Sequence, residues 1–296
     1  MKPAPFDYLA PTTVEETLDV LRRYGDDAKV LAGGQSLVPM LNFRLARPAV
    51  LVDINGIPGL AGIDVADNAL TIGATTRQRA LETRLPGQLP AADAWGLLPV
   101  AAGHIGHKQI RARGTVGGSL SHADPAAELP AAVSALGAAL VVRSAGGERE
   151  VGPEEFFEGF FTTCLAPDEL LTAIRVPAWP TGSRSCFLEV SRRRGDFAQV
   201  AVAAVVTVED GRISRAGIAL AGVGGRTVQA HGLVDGLVGQ EPAAATFAEL
   251  AGDFAAGLEP PPDVHGPAEY RRALARHLLQ QALADATGLT AATAAA

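Results

Sequence analysis

The chain has 296 residues, with 25 Lys and Arg against 32 Asp and Glu, which leaves a formal net charge of −7. Gly (33) and Pro (20) together stay below the roughly 25–30% of low-complexity chains, and 48% hydrophobic content is enough to build cores, so wholesale disorder is excluded. A pI near 5.4, three lysines (Lys2, Lys29, Lys108) and no basic run longer than Arg192–Arg194 leave no electrostatic footprint for nucleic acid.

In chain order, the first predicted element is a helix: Thr13 caps it, Glu16 completes a capping box, Val14, Leu18 and Leu21 share one face, and Gly25 stops it. Residues 28–31 read as a short buried strand running into the glycine turn AGGQS, 32–36. A helical turn near 38–44 and a strand at 50–54 follow; 70–73 reads as another strand, entered through an Asp67-Asn68 turn, and Thr75 or Thr76 is positioned to cap a helix ending near Thr83. A helical pattern spans 91–102. The segment from His104 to Pro130 is dense in Gly, His and small polar residues, and an irregular run this long between strong elements points to function. Residues 125–135 read as helix with Pro125 at its first position, 138–142 and 148–151 as a hairpin turning at Gly146-Gly147, and 170–176 as a strand.

The run PAWPTGS, with two prolines and a glycine, marks a predicted domain boundary at 177–183. Beyond it, 186–191, 199–208 and 213–220 read as antiparallel strands joined partly by an Asp210-Gly211 turn, and 243–256 and 268–286 read as helices. The expected architecture is α+β: a first domain over 1–176 in two lobes, roughly 1–55 and 56–176, a smaller domain over 177–288, and a frayed tail at 289–296. Stretches such as 131–142 and 201–206 fall short of the roughly 18 apolar residues of a membrane span, and MKPAPFDYLAP lacks the order of a signal peptide. A cytoplasmic location is the default expectation.

Two segments about 80 residues apart share one local chemistry: Ala32-Gly33-Gly34-Gln35-Ser36 and Thr115-Val116-Gly117-Gly118-Ser119. Glycine lets a backbone approach a bulky anion, successive N–H groups form a concavity for it, and Ser36, Thr115 and Ser119 add hydroxyl donors. Neither segment fits GxGxxG or a P-loop, so a Rossmann dinucleotide site and an NTPase are disfavoured. Two such nests converging on one pyrophosphate would still bind a dinucleotide without a metal, and valine at Gly34 or Gly117 is then expected to harm that binding more than folding. Asp124 either accepts hydrogen bonds from ribityl or ribose hydroxyls or caps the helix at Pro125. His104, His107 and His122 lie close in sequence but follow no metal-ligand spacing, and no metal site is assigned. Cys164 and Cys186 cannot supply the four thiolates of an iron–sulfur cluster.

Four segments in order and spacing, AGGQSLVPMLNFRLARP, IGHKQIRARGTVGGSLSHADPAAELP, SRRRGDFAQVAVAA and DVHGPAEYRRAL, resemble the FAD-binding medium subunit of molybdenum-containing hydroxylases, over nearly the whole chain. That family includes bacterial carbon monoxide dehydrogenase and corresponds to the flavin domain of xanthine dehydrogenase. The resemblance implies a two-lobed FAD domain of the vanillyl-alcohol oxidase type, followed by a domain peculiar to these flavoproteins. It implies FAD contacts through Ala32, Gly33, Gly34, Gln35, Ser36 and Leu37, through Ile105, through Thr115, Gly117, Gly118 and Ser119, through Ala123 and Asp124, and through Asp196 and Phe197 of the GDFA segment. Phe197 stands where many relatives carry Tyr, so a phenolic hydrogen bond is lost there. Without the resemblance, Phe197 reads as core and Arg192–Arg194 as a solvated face.

The resemblance further implies partner chains: a small subunit with two [2Fe-2S] clusters and a large molybdopterin subunit, assembled as a dimer of heterotrimers that can sit peripherally at the inner face of the membrane. This chain would pass electrons from the clusters through FAD to NAD, quinone or oxygen, and no residue is assigned as general acid or base. The alternatives are a self-contained FAD-dependent oxidoreductase of the same superfamily, with its own substrate pocket, and a colourless binding module.

Overall fold

The computed structural model describes residues 2–66, 68–87, 89 and 94–289. The chain opens with a parallel three-stranded sheet in the order β1-β3-β2, formed by β1 (Asp7–Leu9), β2 (Ala28–Leu31) and β3 (Val50–Asp53). Helix α1 (Val14–Tyr24) covers it, and Val14, Leu18, Leu21, Val50 and Val52 make a small separate core. The Thr13 hydroxyl accepts the Glu16 N–H (3.1 Å), as the capping box requires, while the Glu16 carboxylate reaches back one residue further, to the Thr12 N–H (2.7 Å). Helix α2 (Leu37–Asn42) follows directly on the first glycine turn.

The second sheet is antiparallel, with five strands in the order β4-β5-β10-β6-β7. They are β4 (Ile63–Ala66), β5 (Ala69–Gly73), β6 (Ala139–Ser144), β7 (Gly147–Val151) and β10 (Leu170–Pro177). Helices α3 (Gln78–Thr83), α4 (Leu97–His104), α5 (Lys108–Arg113), α6 (Val116–His122) and α7 (Glu128–Leu136) lie between β5 and β6 in sequence. A short helix α8 (Pro153–Phe156) and the two-stranded β8 (Phe157–Gly159) and β9 (Thr162–Thr163) precede β10.

The third sheet is also antiparallel, in the order β11-β12-β13-β14: β11 (Arg184–Val190), β12 (Val200–Glu209), β13 (Arg212–Ala221) and β14 (Val228–Gln229). Helices α9 (His231–Leu237), α10 (Ala244–Ala256) and α11 (Ala268–Thr287) complete the chain. Strand β12 is buried on both faces, which explains its unbroken apolar run. Ala201, Ala203 and Val205 point into the core shared with α4, α7 and the five-stranded sheet. Val200, Val202, Ala204 and Val206 point into a second core, built with α10 and α11. The small residues on the first face allow α7, every residue of which is buried, to lie close against the sheet.

Several expectations need correction. Helix α3 begins after Arg77 rather than at Thr75 or Thr76, because the Thr76 hydroxyl is taken by the turn at Gly62, whose N–H it accepts and whose carbonyl it donates to (2.9 Å each). The helix expected over 91–102 is α4, entered through a 3-10 turn at Ala94–Gly96; residues 91–93 lie outside the described residues, as do Asp67 and 290–296 of the tail. The segment 104–130 is not irregular. It folds into α5, α6 and the start of α7, too short for a periodic signal and separated by breaks at Gly114 and at left-handed Ala123 (φ 51°). Pro125 is not a helix start: Asp124 Oδ1 accepts the Ala126 N–H (2.9 Å) in a local turn, and Ala127 precedes the helix.

Candidate active site: a glycine-lined cleft

The turn after β2 and the turn before α6 meet across one cleft, because both sequences are short of side chains where the backbones touch. A Cβ on Gly33 would stand 2.6 Å from the Arg113 carbonyl oxygen and 2.7 Å from the Gly114 Cα. The two turns are also tied by polar side chains that patterning does not single out. Asn55, just beyond β3, donates from Nδ2 to the Ala32 carbonyl (2.7 Å), and its Oδ1 accepts from Arg77 (2.8 Å). Arg77 donates its other nitrogen to the Arg113 carbonyl (2.7 Å). The chain of contacts extends outward through Asp53, which accepts from Asn55 (2.6 Å) and from the Tyr8 hydroxyl (2.5 Å). A polar residue directly after a buried strand, as in Asp53-Ile54-Asn55-Gly56, is the signal that could have pointed to Asn55; Arg77 carries none.

The cleft has a volume of about 670 Å³. Its lining includes Ala32 to Leu37, Ile105, Thr115, Gly117, Gly118, Ser119, Asp124, Asp196 and Phe197, so it gathers nearly all of the expected contact residues. Ala123 does not line it; that residue is buried and ends α6, with its carbonyl accepting the Phe161 N–H. The GDFA segment comes from the loop between β11 and β12: Gly195 (φ +92°) packs against the His107 ring and the Gly106 carbonyl, where a Cβ would come within 2.8 and 3.0 Å. The turn that receives it is held by buried Arg111, bonded to the carbonyls of Ile105 (2.7 Å) and Gly106 (3.1 Å) and, by its other nitrogens, to both carboxylate oxygens of Glu82. That pairing holds the Glu82 carboxyl below its usual range. Phe197 is 62% exposed at the rim rather than core. Phe161 also lines the cleft and is exposed, its ring 5.0 Å from that of His122.

The two glycine segments differ in a way their sequences conceal. Among the described residues, the N–H groups of Gly33, Gly34, Gln35, Ser36 and Leu37 have no protein acceptor, and neither does the Ser36 hydroxyl donate. In the second segment the amides are already engaged: Gly117 donates to the Ala74 carbonyl (2.8 Å) and Gly118 to the Thr115 hydroxyl (3.1 Å). The second segment is therefore a helix cap rather than a nest, and presents the Ser119 hydroxyl. Gly117 is glycine for packing, since a Cβ would lie 2.5 Å from that of Ala74 and 2.9 Å from its carbonyl oxygen. Valine at 117 would thus damage folding first, against the expectation. Gly34 has a left-handed φ of +73°, and a Cβ there would lie 3.1 Å from the Val38 side chain and 3.3 Å from that of Leu31.

Four titratable groups are shifted by burial, and of these Glu128 and His122 line the cleft. Glu128, at the start of α7, is pushed up to about 8 by burial and by the nearby Glu189 carboxylate. Glu189 is pushed up to about 7, again by burial. His104 and His122 are both lowered, chiefly by desolvation. Among the described residues no cluster of three His, Cys, Asp or Glu side chains is placed to hold a metal ion, and no helix is long and apolar enough to cross a membrane.

Residues 4–179 match the FAD binding domain in molybdopterin dehydrogenase, and residues 185–286 match the CO dehydrogenase flavoprotein C-terminal domain. The chain is 43% identical to the 6-hydroxypseudooxynicotine dehydrogenase complex subunit alpha of Paenarthrobacter nicotinovorans, over 97% of this chain and 96% of that one. It is 37% identical to the carbon monoxide dehydrogenase medium chain of Afipia carboxidovorans, over 96% and 97% of the two chains. Its structure superposes on a chain of carbon monoxide dehydrogenase from Hydrogenophaga pseudoflava with a TM-score of 0.93, 36% identity and coverage of 97% and 99%. A cleft built on an unpartnered glycine turn, in a fold shared end to end with these proteins, leads to one conclusion: the chain belongs to the FAD-binding medium subunits of the molybdenum hydroxylases.

Proposed function

We propose that this chain passes reducing equivalents between partner iron–sulfur clusters and an external acceptor (NAD, quinone or oxygen) within a molybdenum hydroxylase complex. The observation that carries the reading is the run of unpartnered amides from Gly33 to Leu37 on the cleft wall. Five backbone donors with the Ser36 hydroxyl match the charge and size of a pyrophosphate, and the cleft volume lies in the range of cofactor pockets. The donor set therefore fits FAD. When bound, FAD supplies the exchange of electrons singly or in pairs.

The residues of this chain hold and orient that group. The first glycine turn and Ser119 would receive the pyrophosphate, Asp124 a sugar or ribityl hydroxyl, and Ile105 and Phe197 the apolar ring system. Asn55 and Arg77 set the spacing of the two turns. Cys164, in the bend after β9, and Cys186, in β11, are both free and are too few to hold a cluster, so a cluster would have to come from another chain. The relatives are called "subunit alpha" and "medium chain", which supports a small iron–sulfur and a large molybdopterin partner here. The same medium-subunit fold serves a nicotine-derived substrate in one relative and carbon monoxide in another, which supports substrate selection in the large partner.

Stopped-flow absorbance tests the role. Substrate of the complex is expected to bleach the flavin only when the iron–sulfur and molybdenum chains are present. Reduction of the purified flavoprotein alone, at the rate of the complex, would overturn it in favour of a self-contained oxidoreductase. Acid precipitation gives the cofactor's attachment, with noncovalent FAD expected in the supernatant.

A further inference from the structure

The turn between α4 and α5, Ile105-Gly106-His107, has its carbonyls bound and its amides free. Arg111 of α5, 5% exposed, donates from one nitrogen to the Ile105 carbonyl (2.7 Å) and to the Gly106 carbonyl (3.1 Å), and the His107 carbonyl accepts the Arg111 N–H (3.1 Å). The rest of the guanidinium is gripped by Glu82 of α3, through Nε (2.9 Å) and Nη2 (3.1 Å), and Arg79 holds the same carboxylate (2.6 Å). A planar fork bound along both edges is fixed in orientation. Among the described residues, neither Gly106 nor His107 donates its N–H to a protein acceptor. Ile105 and Gly106 line the cleft, whereas Arg111 stands behind it and does not. A trans peptide points its C=O and the following N–H in opposite directions, and no described peptide bond is cis. With the Ile105 carbonyl drawn back to Arg111, the Gly106 N–H is turned towards the cleft. Gly106 has the backbone for this bend, a left-handed φ of +44°, and a Cβ there would stand 3.0 Å from the Ile110 side chain.

Ile105 and the GDFA segment, whose Gly195 rests on the Gly106 carbonyl, put this turn beside the ring system of the cofactor. A ring that gains electrons gains negative charge, and a hydrogen bond to an anion is roughly twice as strong as one to a neutral acceptor. A fixed N–H beside the ring therefore favours reduced over oxidised FAD, with no rearrangement when the electrons arrive. We propose that the Gly106 N–H is a hydrogen-bond donor to the flavin ring, and that Arg111, from behind the wall, is the positioning residue that holds it there and so raises the flavin potential. The inference rests on the FAD reading above.

Reductive titration of the FAD-loaded chain against a reference dye, followed by absorbance, reads the midpoint potential. In Arg111→Met, reduced FAD is expected to lose about tenfold more affinity than oxidised FAD, which is a fall of about 30 mV in the two-electron potential. Arg111→Lys, which keeps the charge but has a single nitrogen in place of the fork, should recover part of that fall. An Arg111→Met chain that unfolds at lower urea yet keeps the wild-type potential would have lost only structural support and would overturn the proposal. Full recovery in Arg111→Lys would place the effect in the charge and overturn it as well. Should the variants fail to fold, the wild-type chain decides. Carbon-13 at isoleucine carbonyls with nitrogen-15 at glycines selects two amides, Gly73 and Gly106, of which Gly73 already donates to the Gly62 carbonyl (3.0 Å). One signal is expected to move downfield on reduction with dithionite while the other stays, and two unmoved signals would overturn the assignment. A preparation that binds no flavin sinks the cofactor reading itself, an outcome visible from its colour before any reductant is added.

Discussion

Replacing Arg77 by Ala removes two hydrogen bonds from a charged donor, one to the Arg113 carbonyl (2.7 Å) and one to Asn55 Oδ1 (2.8 Å). Bonds to charged groups contribute roughly 1.5–3 kcal/mol each, and water replaces part of that at a partly buried site, so a net loss of about 2–3 kcal/mol is expected. The loss falls on the junction of the two turns rather than on a core: Gly33 still rests on Gly114, while the spacing of the turns loses its clamp. If about half of it appears as cofactor binding, FAD affinity falls about tenfold. Flavin fluorescence quenching on titrating apoprotein measures the affinity, and urea unfolding of the same apoprotein measures the remainder. Asn55→Ala should behave alike, and a double-mutant cycle should show coupling of about 1 kcal/mol, since both act through one contact. Wild-type affinity in Arg77→Ala, or simple additivity with Asn55→Ala, would refute the clamp.

Three further outcomes follow from the same geometry. Gly117→Ala forces a methyl against Ala74 and should lower the stability of apoprotein by about 1–3 kcal/mol in urea unfolding; an unchanged midpoint would show that the wall yields. Arg271, buried in α11, donates to the carbonyls of Gln199 (2.6 Å) and Gly222 (3.0 Å) and to Asp263 (2.7 Å), so Arg271→Ala should cost about 3–5 kcal/mol, with Arg271→Lys recovering only part by the same assay. The folded Glu128 carboxyl holds its proton to about 8 against a reference of 4.5, so between those values the folded chain binds a proton that the unfolded chain has released, and stability falls as pH rises. Glu128→Gln should flatten that slope in apoprotein unfolding followed from about pH 5 to 8, and an identical slope would remove Glu128 from the account.

Elements with a strong local signal were legible. The Thr13 cap with its apolar stripe, the hairpin of β6 and β7, and the long antiparallel pair β12 and β13 around Asp210-Gly211 all stand where patterning places them. Strands of two or three residues, such as β1 and β14, carry too few side chains to show a period. The glycine turns were legible as chemistry but not as a pair with different duties, because whether an amide is free depends on a partner far along the chain, such as Ala74 for Gly117. Asn55 and Arg77 escaped for the same reason, as did Glu128, whose place in a helix start suggests only an ordinary favourable dipole contact. Phe197 misled when read by hydrophobicity alone, and only the motif around it pointed to the rim of the cleft.

The core shared by the five-stranded and four-stranded sheets governs how the molecule can move. One continuous apolar cluster runs from Leu70 and Ile72 through α4 and α7 to Ala201, Ala203, Ala219 and Ala221, so there is no seam about which one half could swing against the other. A graft of residues 185–286 from a relative would have to bring alanine-sized faces on β12 and β13, or the close-lying α7 would be lifted and the opposite wall of the cleft with it. Within that fused core, motion beside the cleft is left to exposed side chains such as Phe161 and Phe197, on the timescale of rotamers rather than of hinges.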